Sequence, residues 1–411
     1  MNWERAKLGD IAEFGNGLNF GKEAYSKGIK FIGVSNFRNR FYPDYKELEE
    51  VKEDIVRQND LLADGDIVFV RSNGNKELVG RCMLIQNPPT KITFSGFCIR
   101  ARLKDLKKHD PVFWAYHFKN QGFRRAMSGT AIGANIQNLS QGRLAVYEAE
   151  VPDIGTQHRI ANVLSTYDKL IHNNEKQIKL LEEAAQRLYK EWFVDLRFPG
   201  YENCKIVDGV PEGWKKDKAD CFFNITIGKT PPRAEKQWFV EGTEGIPWLS
   251  ISDMGNSRTY VFCTNEGLTD EAVKKHNVKV VPAGTVFVSF KLTIGRVAIA
   301  TTDMCTNEAI AHFYIDDVVK QAYTYCYLRN FEYDTLGNTS SISKAVNSKI
   351  IKAMPFIMPT DDIVQRFSVY VAPILNEIKN KQRMCIKSSQ ARDRLLPKLM
   401  SGEIEVLEEK S

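Results

Sequence analysis

The chain has 411 residues, 43% hydrophobic and 26% charged, enough length for two or three domains with real cores and an ordinary soluble composition. No window approaches the run of roughly 18 apolar residues that a membrane span needs. The opening "MNWERAKLGDIAEF" has neither a signal core nor transit-peptide character, and a formal net charge of +6 is too small to imply nucleic-acid binding by itself. Eight cysteines without a CxxC pair and six histidines without metal-ligand spacing argue for free thiols in a reducing cytoplasm, against a disulfide frame or a zinc ribbon.

In chain order, "GNGLNFGK" is a glycine-rich loop ending at Lys22, and its "FGNG" lacks the spacing of a nucleotide-binding loop. "FIGVSN" brings Ser35 and Asn36. "LLADGDIVFV" ends in a predicted strand, followed by the polar run Arg71, Ser72, Asn73 and Lys76. "RCMLI", opening at Arg81, predicts another strand. "NPPT" at 87–90 resembles the N-P-P-aromatic loop of DNA amino-methyltransferases, but Thr90 cannot stack on a base, so it reads as a turn between strands. "FCIRARL" predicts a strand with Phe97, Ile99, Ala101 and Leu103 on one face and Arg100 and Arg102 on the other. "HDPVFWAYHFKN" predicts a helix with Asp110 as N-cap and Pro111 at its first position. "TAIGANIQN" offers Asn135, Gln137 and Asn138. Asp44 with Asp105 and Lys107 is a loose nuclease-like set, too common to define an enzyme.

Residues 159–193 carry a heptad seam: Ile160, Leu164, Tyr167, Ile171, Asn174, Ile178, Leu181, Ala185, Leu188 and Trp192 recur at alternating steps of four and three. Asn174 is the polar seam position, able to fix register. A seam needs a partner, and an internal repeat supplies it. "VPDIGTQHRIANVLS" at Val151 and "MPTDDIVQRFSVYVA" at Met358 align at an offset of 207, without insertion for about forty residues. The second seam reads Phe367, Val371, Ile374, Ile378, Lys381, Cys385, Ser388, Arg392, Leu395 and Leu399. Antiparallel packing of the two predicted helices gives a pseudo-twofold arrangement. Ser165 with Asp168, and Pro373 at the matching place, predict a break near 166 and 373, followed by a helix of about thirty residues and roughly 45 Å. Pro397 predicts fraying of the last turn and Gly402 its stop. The apolar seam ends Leu188, Trp192, Leu395 and Leu399 are expected to be partly covered by partner subunits.

The repeat extends upstream with an offset that drifts from about 219 to 207: "GDIVFV" matches "AGTVFV", "GRC" matches "GRV", and "AYHFKN" matches "YCYLRN". The organisation is domain, helix, domain, helix, over 1–150, 151–200, 201–356 and 357–411, with each domain α+β. The second half repeats the polar loops: Lys229, Thr230 and Arg233 in "IGKTPPR", Ser252, Lys291, Arg296, and Ser341, Lys344 and Asn347 in "SSISKAVNS". Arg, Lys, Asn and Gln in such loops are the residue types that bond to phosphates and base edges.

The two proline-led helical segments, with "GDIVFV"/"AGTVFV" and "IGKTPPR", resemble the specificity subunits of type I restriction–modification systems over essentially the whole length. "GNGLNFGK" departs from that pattern in lacking the Thr-Pro of the loop. The resemblance implies two target-recognition domains separated by two long antiparallel helices, each domain reading half of an asymmetric bipartite site in double-stranded DNA. It implies no catalysis and no cofactor in this chain. Its expected partners are two methyltransferase subunits carrying S-adenosylmethionine and a restriction-motor subunit, in the cytoplasm. Half-sites met on one face of B-DNA are expected about 34–36 Å, roughly ten base pairs, apart. The competing readings are a self-contained methyltransferase or nuclease, and a coiled-coil scaffold without DNA contact.

Overall fold

The computed structural model describes residues 3–37, 40–73, 78–128, 137–242, 244–336 and 346–407. The chain divides into two units, one formed by 1–171 with 387–411 and the other by 172–386. Each unit therefore takes a globular domain together with a piece of both long helices.

In the first unit, β1 (Ala12–Asn16), β2 (Ile67–Val70), β3 (Cys82–Leu84) and β4 (Cys98–Leu103) form an antiparallel sheet in the order β1-β4-β2-β3. In the second, β5 (Ile225–Ile227), β6 (Tyr260–Val261), β7 (Val286–Ser289), β8 (Val297–Ala300) and β9 (Ile310–Phe313) run β5-β9-β7-β8-β6. The first four places match unit for unit, so the sequence repeat is a structural one. The extra strand β6 would leave an open edge. Gln382 closes it: its side-chain oxygen accepts from the Tyr260 N–H at 3.1 Å and its amide donates back to the Tyr260 carbonyl. Entry and exit strands pair in both units, Glu4–Lys7 with Glu148–Val151 and Lys215–Lys218 with Pro355–Met358. Each sheet carries a helix on one face, Pro111–Lys119 capped by Asp110 and Val318–Asn330 capped by Asp317. The Asp110 cap and Pro111 start are those the sequence predicts. Phe97 departs from its predicted face: it lies just outside β4 and projects into solvent, while Ile99, Ala101 and Leu103 are buried. "NPPT" forms the turn between Cys82–Leu84 and Ile92–Phe94, with Asn87 in the left-handed region.

The long helices are Ile154–Tyr189, 36 residues ending in a π-turn at Lys190–Val194, and Asp361–Met400, 40 residues. The predicted break is absent from both. Ser165 does not cap; its hydroxyl bonds back to the Asn162 carbonyl at 3.3 Å within a continuous helix. The cap is Asp153, whose carboxylate accepts from the Thr156 N–H and hydroxyl, bonds that hold it below the usual carboxylate range. Pro373 and Pro397 stay inside the second helix because both face solvent. For Pro373 the carbonyl left without its donor, that of Val369, sits on an exposed residue and can bond to water. Gly402 stops the helix in the left-handed conformation, as expected.

All twenty seam positions are buried or partly buried. In the first unit Ile160 and Leu164 share a core with Leu396, Leu399 and Met400. In the second, Ile178, Ala185 and Trp192 share one with Phe367, Val371 and Ile378, with Leu181 and Leu188 packed against it. Trp192 meets Phe367 at 5.7 Å between ring centroids, while the Glu175 charge acts on Cys385 further along, so the two strands of this seam run antiparallel. The seam ends expected to await a partner subunit, Leu188, Trp192, Leu395 and Leu399, are instead packed in the chain's own cores. Asn174 is buried with its amide nitrogen unpartnered, so it is not the register-fixing contact. That role falls in the first unit to Asp168, which accepts from Tyr116 and pairs with Arg392. At the repeat offset the corresponding residues are Leu375 and Ala185, both buried in the second unit's core.

Breaking a largely buried ion pair by removing one partner costs roughly 3–5 kcal/mol, whereas apolar replacement of both is close to neutral. Arg392→Ala is therefore expected to lower urea stability by several kcal/mol. Asp168→Leu with Arg392→Ala, the set used by the other unit, is expected to recover most of the loss.

His117 gives a second expectation. It is buried among Trp114, Phe118, Phe123 and Tyr147, neither ring nitrogen has a hydrogen-bond partner, and burial pushes its pKa down to about 4. The unfolded chain then binds the proton more readily than the folded one. Stability from this residue is complete above pH 6.5 and lost as pH falls toward 4, a change of roughly 3 kcal/mol. His117→Phe should flatten this part of the pH–melting curve of the chain.

Candidate nucleic-acid interface

In each unit, three loops meet at one end of the sheet. In the second unit they are the segment after β5, the β7–β8 connection and the segment before β9. The Gly228 N–H donates to the Ile310 carbonyl at 3.1 Å and the Lys229 N–H to the Thr306 carbonyl at 2.9 Å. The Phe290 N–H donates to the Ala309 carbonyl at 2.9 Å. In the first unit the same ties recur as Gly17 to Cys98, Leu18 to Phe94, and Arg71 to Phe97. By this register Leu18 takes the place of Lys229, and Lys22 that of Arg233.

Around the second cluster, Thr230 donates to Glu308. Burial pushes the Glu308 carboxyl up, but the Thr230 bond and the charges of Lys291 and Arg233 outweigh it and hold the group below the usual carboxylate range. The structure thus brings Thr230, Arg233 and Lys291 together around a carboxylate that sequence reasoning missed, with Lys229 next to Thr230 in the same loop. Arg233 also donates to both oxygens of Glu266 at 2.9 and 2.8 Å and lies over the rings of Phe239 and Trp248. Both bonds come from Nη1, so that arm and the two ring contacts anchor the guanidinium to the loop. Arg296 is half-buried and donates to the Ile251 carbonyl at 2.9 Å, next to Ser252, which is exposed. Asn347 caps the helix Ser348–Lys352 by accepting from Lys349 and Ile350. Lys229, Arg233 and Lys291 are all exposed, and of these Arg233 is the one tied to Glu266.

In the first unit, Arg71 donates through its guanidinium to the Gly96 carbonyl at 3.3 Å. A two-residue antiparallel ladder pairs Ser72 and Asn73 with Asn138 and Gln137, which brings the segment before Leu139 to the Arg71 loop. Arg81 begins the return of that loop, its carbonyl accepting from Val70. Lys22 is exposed in a short turn, Ser35 is exposed, and Asn36 is spent on capping the Gly33 N–H at 2.8 Å. Lys76, Asn135, Ser341 and Lys344 lie outside the described residues.

Among the described residues, the arrangement offers cations, amides and backbone groups. Asp44 and Asp105 each accept from a backbone N–H two residues on, closing their own turns. Among the described residues no group of three or more His, Cys, Asp or Glu is placed to hold a metal, and no helix is long and apolar enough to cross a membrane.

A repeated sheet-and-loop domain rooted on long helices, with polar loops at one end of each sheet, defines a class of paired recognition proteins. The model of the type I restriction modification DNA specificity domain matches residues 1–183 and again 211–385, so the chain belongs to that family. It is a DNA-specificity protein of a type I restriction–modification system and not a catalytic member of one. The type I restriction enzyme MjaIX specificity subunit of Methanocaldococcus jannaschii is 25% identical, with 99% of this chain and 94% of the relative aligned. The HindI specificity subunit of Haemophilus influenzae is 22% identical over 98% and 100%. The fold is shared with the crystal structure of a type I S subunit from M. genitalium, at TM-score 0.57 and 15% identity over 97% and 96% of the two chains.

Lys291→Ala, which removes an exposed cation from the second cluster, is expected to weaken DNA binding similarly on all sequences. The slope of log affinity against log salt should fall by about one, read by titration at several salt concentrations.

Proposed function

We propose that the two units read the two halves of an asymmetric bipartite DNA target, each through its own loop cluster, and that the long helices set the unread gap between the halves. The observation that carries this reading is the recurrence of one strand order and one set of loop ties with different side chains on top. The same frame twice supports two half-sites; different loops support two different sequences. On this reading the chain docks two methyltransferase subunits, which bring S-adenosylmethionine, and through them the restriction-motor subunits. It needs no cofactor of its own and works in the cytoplasm.

Exchange of one unit's domain tests it. Replacing residues 1–152 by the corresponding piece of another family member keeps the strands Glu4–Lys7 and Glu148–Val151 from one parent and leaves the Asp153 cap in place. Sequencing of methylated DNA should show one half-site changed, the other kept, and the gap unaltered. A change in both half-sites would contradict the division of labour.

A further inference from the structure

Each loop cluster raises a large apolar side chain far into solvent. Leu292 is 91% exposed and Phe97 61%. Neither belongs to a core, and each is presented on a braced backbone. Leu292 adopts the left-handed region, with φ of 62°, which a branched residue takes only under constraint. The constraint is visible. The buried Ser289 hydroxyl donates to the Thr293 carbonyl and accepts from the Arg296 N–H at 3.0 Å. The Gly295 N–H donates to the Ser289 carbonyl at 2.9 Å, and the Arg296 guanidinium ties the loop back to Ile251. Phe97 is held by the Arg71 N–H on its carbonyl at 2.8 Å, and the preceding Gly96 sits so close that a Cβ there would fall 1.9 Å from the Asn19 side-chain oxygen.

The two side chains stand in matching clusters on different loops. Arg71 donates to Phe97 as Phe290 donates to Ala309, so Phe97 takes the place of Ala309, while Leu292 lies two residues beyond Phe290, the match of Arg71. An apolar side chain held rigidly in water beside Arg71 in one unit and Lys291 in the other does nothing for folding. Such a group gains by meeting an apolar surface flanked by negative charge. In duplex DNA the phosphates supply the charge, and the apolar feature at the base edges is the thymine C5-methyl in the major groove.

We propose that Phe97 and Leu292 are the apolar base readers of the two units, each packing on a thymine methyl of its own half-site. This rests on the DNA-reading assignment above and adds a residue and a base type to each half. The full chain, produced in cells with its methyltransferase partner, is compared with Phe97→Ser and Leu292→Ser by sequencing methylated DNA. Leu292→Ser should relax one A·T position in one half-site, and Phe97→Ser one A·T position in the other, with melting temperatures unchanged because both side chains are exposed. Duplexes with uracil replacing that thymine then lack only the methyl. The parent complex should bind them about fourfold more weakly, the serine variant equally well. Unchanged motifs, losses spread evenly over all sites, both variants acting on the same half-site, or indifference of the parent complex to uracil would each overturn the proposal. Failure of the DNA-reading assignment is separable: it would appear in the parent chain, as methylation without a bipartite motif, before any variant is compared.

Discussion

The structure depends on two long helices packed along a shared seam. Neither domain has a foundation of its own. The first unit is completed by residues 387–411, and its buried pair Asp168–Arg392 joins positions 224 residues apart. Closing so long a loop is costly in chain entropy, and the helix pairing it permits offsets that cost. In the first unit the seam is pinned by charge, through Asp168, Arg392 and Tyr116. In the second it is clasped by rings, Trp192 against Phe367 and Tyr189 against Phe367. The repeat thus preserves shape while changing chemistry, since the positions matching Asp168 and Arg392 are Leu375 and Ala185.

The same division appears at the loops. Backbone ties between the three loop segments recur in both units, so the frame is held by main-chain bonds that tolerate side-chain change. Many polar side chains in the clusters then serve the frame. Arg233 is held by Glu266 and two rings, Arg296 by the Ile251 carbonyl, and Asn347 and Asn36 by the turns they cap. Among the described residues, those directed outward include Lys229, Ser252, Lys291 and Leu292 in one unit and Lys22, Ser35 and Phe97 in the other. A recognition surface of this kind gains precision because its supporting groups are already ordered before DNA arrives.

Much of this was legible in the sequence, and the parts that were not share a cause. The heptad seam was readable because helical periodicity is local, and every one of its positions turns inward. The Asp110 cap was readable for the same reason. The break near Ser165 and Pro373 was not a break because a proline facing solvent leaves a carbonyl that water can satisfy, a fact about burial and not about residue type. Phe97 looked like the first core residue of its strand by alternation, and the strand begins one residue later. Glu308 and Glu266 escaped notice because their roles depend on partners 78 and 33 residues away. The equivalence of Lys22 with Arg233 was hidden by the drifting offset and follows from the backbone ties of Gly17 and Leu18, which match those of Gly228 and Lys229.

The central claim is that one chain holds two independent DNA readers on a common helical frame. Base-resolution sequencing of methylated DNA from cells producing the unaltered chain with its methyltransferase partner tests it most directly. The account predicts a motif of two unlike specific blocks separated by a fixed run of unread bases, present only when this chain is present. A continuous motif, or methylation that does not depend on this chain, would contradict it.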